Sequence, residues 1–158
     1  SMVPIHDLMR LRPVGARDYF CRTPLCEWLS RTFLGLIPLN RKPKRGEDLF
    51  AECVDALAKG DLLVIFPEGS RGNPEERTDL KAGVSRLMER CPTAPLVPVF
   101  LRGCGRSLPK GEAIFVPFCC DAVIGEALHF QGDRKALLAE LALAMDNLEK
   151  ELPDLHWD

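Results

Sequence analysis

Apolar residues recur along the chain at helical intervals in four places. Leu25, Trp28, Leu29 and Phe33 return every three or four positions, which predicts a helix with one buried face. Thr23 is placed to cap it, Pro24 suits its first position and Gly35 suits a left-handed end. A second helix is predicted over Gly46 to Lys59, with Leu49, Phe50, Cys53, Val54 and Leu57 as its apolar stripe and Gly60 as its stop. Leu80 to Arg90 turns Val84, Leu87 and Met88 inward. Asp133 to Leu148 does the same with Leu137, Leu138, Leu141, Met145 and Leu148.

Between these stretches lie short apolar runs that read as strands. Arg12 to Ala16 is a first or edge strand and Leu36 to Leu39 a short one. Leu62 to Phe66 is apolar at every position, the mark of a central strand covered on both faces. Leu96 to Leu101 is interrupted by Pro98, which removes a ladder donor, so a bent or shortened strand is expected. Ala113 to Phe118 and Cys120 to Ile124 complete the set, with Gly125 as a break. The alternation predicts an α/β fold, a mixed sheet sandwiched between helices, as one domain over residues 1–158.

Composition narrows the function classes without choosing one. At 158 residues the chain suits one domain, and 46% apolar with 28% charged residues describes an ordinary globular protein. A net charge of -2 does not favour nucleic acid as a partner. No apolar run has the length of a spanning helix, and residues 1–20 have no signal-peptide pattern. The seven cysteines form no zinc-like spacing, and their apolar neighbours point to reduced, buried thiols. No metal site is expected.

Chemistry concentrates in Phe66-Pro67-Glu68-Gly69-Ser70-Arg71-Gly72, at the carboxyl end of the most apolar strand. Ligand sites in open α/β sheets gather at that edge. Gly69 and Gly72 let backbone approach a ligand, Arg71 offers a planar fork for phosphate or carboxylate, and Glu68 is placed to pair with a basic group. The plainer alternative is a tight surface turn with a satisfied ion pair. Arg41 follows Asn40 at the end of another strand, so two strand ends side by side would aim Arg41 and Arg71 at one anion. Lys81 opens the following helix, where free backbone N–H groups also favour an anion. Lys42, Lys44 and Arg45 read as a solvated loop or as a patch touching anionic lipid.

These blocks resemble the lysophospholipid acyltransferase family, which includes the 1-acylglycerol-3-phosphate acyltransferases. The family's Phe-Pro-Glu-Gly-Thr-Arg-Ser is matched at residues 66–72, with Ser70 for Thr and Gly72 as a departure. Its Gly-x-Ile-Pro-Val-Asn-Arg is matched by Gly35 to Arg41, its Phe-Lys-x-Gly by Leu80 to Gly83 and its Val-Pro-Val by Val97 to Val99. The stretch Ile124 to Leu128 is similar to its Ile-Gly-x-Pro strand. The resemblance implies a sheet between helices, an acyl tunnel and a phosphate pocket. It implies that Arg41 and Arg71, with Lys81, bind a glycerol phosphate, and that Glu68, Gly69 and Ser70 support the pocket.

The family's Asn-His-x-x-x-x-Asp block is missing. Five places after His6 stands Leu11, five after His129 stands Arg134, and His156 is followed only by Trp157 and Asp158. No catalytic residue is therefore assigned, although Glu68 or Cys21 is a conceivable stand-in. A chain shortened at its N-terminus or a natural loss of the block is expected. The activity implied for the intact protein moves a fatty acyl group from a coenzyme A or acyl-carrier-protein thioester to a lysophosphatidate-like acceptor, with no further cofactor. The alternatives are a non-catalytic phosphate or phospholipid headgroup-binding module, or a structural subunit. Peripheral contact at the cytoplasmic face of a membrane, or a cytoplasmic location, is expected. Trp28 and Phe33 are expected in the core, with a membrane-facing surface as their alternative.

Overall fold

The computed structural model describes residues 10–20, 23–40, 46–68, 80–102 and 121–152, apart from the side chains of Tyr19, Phe20 and Cys26. The fold is α/β, with parallel and antiparallel strands flanked by helices. It divides into two compact units, Ser1–Pro67 and Glu68–Asp158.

The first unit runs β1 (Leu11–Ala16), α1 (Arg17–Phe20), α2 (Pro24–Leu34), β2 (Ile37–Leu39), α3 (Ala51–Ala58) and β3 (Leu62–Ile65). Both β2 and β3 pair in parallel with β1, so β1 lies in the middle rather than at the edge. Parallel neighbours need a crossover, and the helices between the strands supply it. Val14 stands level with Ile37 on one side and Ile65 on the other, and both Val14 and Ile37 are buried. The amino ends of β1 and β3 are tied by Arg12, whose Nε donates to Asp61 at 2.9 Å, and by Arg10, which donates to the Gly60 carbonyl.

Other expectations for this unit change as well. The strand at Leu62 flanks β1 instead of being covered on both faces, and Leu62 and Val64 remain 49% and 38% exposed. An all-apolar run shows that both faces tolerate apolar residues; it does not count the layers that cover them. The helix α2 ends at Gly35, whose φ of 60 is the left-handed turn expected there. Its apolar arc, however, faces outward, with Leu25 65%, Trp28 58%, Leu29 40% and Phe33 74% exposed. The polar side of the helix makes the connections instead. Arg31 reaches Glu52 of α3 at 3.0 Å and Glu27 at 3.3 Å, and Glu27 also lies 3.7 Å from Arg17.

The helix α3 starts later than Gly46 because the Asp48 carboxylate accepts the Phe50 N–H at 3.1 Å and holds the preceding turn out of the helix. Cys53 and Ala56 then face the core.

The second unit runs α4 (Gly83–Arg90), β4 (Val99–Arg102), β5 (Asp121–Ile124) and α5 (Arg134–Glu151). The two strands are antiparallel, from Val99 opposite Ile124 to Arg102 opposite Asp121. The interruption expected at Pro98 is present. Leu96 and Leu128 exchange backbone hydrogen bonds of 2.9 and 2.8 Å, and the regular strand begins only at Val99. Proline has no N–H to continue the ladder, although its carbonyl accepts Gly125 N–H at 2.9 Å. Val84, Leu87 and Met88 of α4 and Leu137, Leu141 and Leu148 of α5 form the buried core. Asp133 caps α5 by accepting the Lys135 N–H at 2.8 Å. At the other end Arg102 donates to the carbonyls of Glu149 and Leu152 at 3.1 and 3.3 Å, satisfying groups that the helix leaves without partners. The strand expected over Ala113 to Phe118 lies outside the described residues.

Candidate functional site

The parallel arrangement of β1, β2 and β3 sets the geometry of the candidate site. Chains leaving β2 at Leu39 and β3 at Ile65 depart from the same carboxyl edge. Leu39 is level with Ala16 and Ile65 with Val14, and β1 lies between them. Two strand spacings separate the departing segments by roughly 10 Å.

Asn40, the first residue beyond β2, is half-buried, and its Nδ2 donates to both carboxylate oxygens of Glu47 at 3.1 and 3.4 Å. This hydrogen bond joins the two ends of the segment that carries Arg41, Lys42, Lys44 and Arg45. Glu47 was not among the residues singled out from the sequence. An amide and a carboxylate flanking a basic run were a signal for it, but pairing across seven positions belongs to no helical or strand repeat.

Beyond β3, Phe66 is exposed, while Pro67 and Glu68 form a half-buried turn. Lys81 is exposed and stands before Ala82, the N-cap of α4, so it precedes the helix rather than opening it. Ala82 provides no side-chain cap and the first turn of α4 holds no acidic residue. Arg41, Gly69, Ser70 and Arg71 lie outside the described residues. The structure therefore describes the two strand ends that lead into the predicted loops and, of the six predicted residues, Glu68 and Lys81.

The described arginines of the first unit have other work. Arg12 and Arg10 serve the amino ends of the strands, opposite the candidate edge. Arg31 is held still more firmly protonated than a free guanidinium, mainly by its hydrogen bond to Glu52, against desolvation by burial, with the charge of Glu52 and then Glu27 adding less. Among the described residues no group of His, Cys, Asp and Glu has the arrangement of a metal site. His129 is exposed; Arg134, five places on, pairs with Glu89 at 3.4 Å, and Asp133 is engaged as the α5 cap.

The carboxyl edge of this parallel sheet, from which the segments after Leu39 and Ile65 depart, is the edge at which open α/β sheets hold their ligands. Residues 4–102, more than half of the chain, match the family described as Acyltransferase, and the chain belongs to that family. It is similar to the chloroplastic 1-acyl-sn-glycerol-3-phosphate acyltransferase LPAT1 of Arabidopsis thaliana, 30% identical over 90 residues, which cover 56% of this chain and 25% of that protein. It is also similar to Tafazzin of Drosophila melanogaster, 30% identical over 100 residues, covering 63% of this chain and 26% of that protein. The chain thus spans about a quarter of the length of these curated relatives. Its fold resembles the crystal structure of the 1-acyl-sn-glycerophosphate (LPA) acyltransferase PlsC from Thermotoga maritima, with a TM-score of 0.70 and 19% identity over 94% of this chain and 59% of that one. At that identity the likeness is one of fold.

Proposed function

We propose that residues 1–158 are the acceptor-holding part of an acyltransferase that acylates a lysophosphatidate-like glycerol phosphate. The observation that carries this reading is the common edge from which the Asn40 and Phe66 segments depart. Family membership over residues 4–102, a stretch that runs through both units, supports treating the chain as one acyltransferase-like domain. Arg41 and Arg71 grip the phosphate from the two segments, Lys81 adds positive charge, and Glu68, Gly69 and Ser70 shape the turn.

In the full reaction the acceptor hydroxyl oxygen attacks the carbonyl carbon of a coenzyme A or carrier-protein thioester. The carbon–sulfur bond breaks, and the thiol leaves with the proton the hydroxyl gives up. That proton must first pass to a base, which histidine oriented by a carboxylate supplies best near neutral pH. No histidine of this chain has an aspartate five places on. Residues 1–158 alone are accordingly expected to bind acceptor and to release no thiol above background. The same observation favours a second reading, a headgroup-binding module without turnover. A thiol-release assay on a longer protein that contains residues 1–158 together with a His-x4-Asp block separates the two. Thiol release that depends on lysophosphatidate supports the enzyme, and its absence leaves the binding module.

The acceptor pocket itself is tested by calorimetric titration with glycerol 3-phosphate. Arg41→Ala and Arg71→Ala should each weaken binding at least tenfold, the loss expected of one charge-assisted contact. Unchanged affinity in both would remove the pocket.

A further inference from the structure

The segment that carries Arg41 has both of its ends on fixed elements. One end is Asn40, which follows Leu39 directly, and Leu39 stands level with Ala16 in the parallel pairing of β1 and β2. Ile37 of the same strand is buried, so β2 does not shift without opening the core. The other end is Glu47, which precedes Asp48. The Asp48 carboxylate accepts the Phe50 N–H at 3.1 Å, and its carbonyl accepts the Ala51 N–H at 3.4 Å. Phe50 is buried, and its carbonyl accepts the Val54 N–H at 2.9 Å. The turn at Asp48 is thereby fastened to the head of α3.

Asn40 and Glu47 link these two ends. Asn40 Nδ2 donates across 3.1 Å to one Glu47 oxygen and 3.4 Å to the other. An ionised carboxylate only accepts, so the amide nitrogen is the atom that must face it. Six residues, 41–46, lie between the partners. Closing so short a loop through side chains removes conformations that a ligand would otherwise have to freeze.

We propose that Glu47 is a positioning residue for phosphate recognition, acting through Asn40 on the direction in which the chain leaves β2 toward Arg41. The ligand in this inference rests on the acceptor-holding reading; the geometry rests on the described pair. Arg41 adjoins Asn40 in the chain, so fixing Asn40 fixes the point from which the guanidinium is launched. Asn40 is half-buried and Glu47 exposed, so each hydrogen bond contributes modestly to stability. The sheet itself is held by its ladder and by Val14 and Ile37. The effect of the pair therefore falls on placement rather than on folding.

A rival account uses charge alone. Glu47 is an anion two positions from Arg45 in a basic run, and an anion there repels a phosphate ester. The two accounts part when the charge is removed and the hydrogen bond is kept.

The test is calorimetric titration of the 158-residue chain with glycerol 3-phosphate at fixed ionic strength. Glu47→Ala removes both charge and acceptor and should weaken binding about fivefold, the worth of one exposed hydrogen bond to a charged group. Glu47→Gln removes the charge but keeps an oxygen that accepts from Asn40, and should bind within about twofold of the parent. Asn40→Asp sets two carboxylates against each other and should weaken binding. Asn40→Asp combined with Glu47→Gln reverses the bond, with the new amide donating to the new carboxylate. It carries the parent's charge and should recover most of the lost affinity. Urea midpoints should stay close to the parent's in all four variants.

Glu47→Ala binding as tightly as the parent overturns the proposal. So does tighter binding by both Glu47→Ala and Glu47→Gln, because charge alone then explains Glu47. Failure of the double variant to recover what Asn40→Asp loses overturns it as well. A Glu47→Ala chain that no longer folds makes the pair a structural clasp and ends the positioning role. If the parent chain does not bind glycerol 3-phosphate, the phosphate pocket goes and this role with it. If Arg41→Ala loses affinity while Glu47→Ala keeps it, the positioning role alone is removed.

Discussion

At the residue scale, Gly35 leads from helix α2 toward strand β2 through one unusual backbone angle. Its φ of 60 is open to glycine and disfavoured for a residue with a side chain. A Cβ there would also stand 2.7 Å from Nη1 of Arg12, the arginine whose Nε donates to Asp61. Gly35→Ala should therefore lower unfolding free energy by about 1–2 kcal/mol, measured by urea denaturation. Asp61→Asn should leave the backbone strain untouched and cost less. Cys53 is 1% exposed, which leaves no water for a hydroxyl in its place. Cys53→Ser should cost about 1–3 kcal/mol in chemical denaturation, because a hydroxyl gives up more hydration on burial than a thiol.

At the scale of elements, α5 shows how a helix is fixed at both ends. Asp133 accepts the Lys135 N–H at its start, and Arg102 donates to the Glu149 and Leu152 carbonyls at its finish. Removing the cap with Asp133→Ala should cost about 1 kcal/mol, again by urea denaturation. Asp133→Ser should recover most of that loss, because a serine oxygen also accepts from the first turn. Leu141, buried between these ends, carries a larger share: Leu141→Ala should cost about 2–5 kcal/mol. The helix α2 contrasts with α5. Its surface ion pairs around Arg31 are each worth at most about 1 kcal/mol, so its apolar side is its largest unspent source of stabilisation.

At the scale of the whole molecule, net charge and local charge pull in opposite directions. A chain at -2 weakly repels a phosphate ester at long range, so the proposed binding requires a local cluster of cations. Salt screens short-range attraction within a Debye length of about 8 Å at 0.15 M. Glycerol 3-phosphate affinity should therefore fall as sodium chloride is raised, in the same titration that tests Arg41 and Arg71. Affinity that rises with salt would show that overall repulsion, rather than a cationic pocket, governs the encounter.

The sequence by itself determined most of the described elements and the family. Periodicity, capping residues and turn glycines report local physics, which is why α2 ends at Gly35, Pro98 shortens β4 and Asp133 opens α5. The order of family blocks, from Gly35-to-Arg41 through Phe66-to-Gly72, made the acyltransferase family legible before any coordinates. Tertiary structure alone decided what depends on partners distant in sequence. It placed β1 between β2 and β3, which sends the Asn40 and Phe66 segments from one edge, and it joined Asn40 to Glu47. It also turned the apolar arc of α2 outward. A helical repeat fixes which residues share a face, but not whether a neighbouring element covers that face.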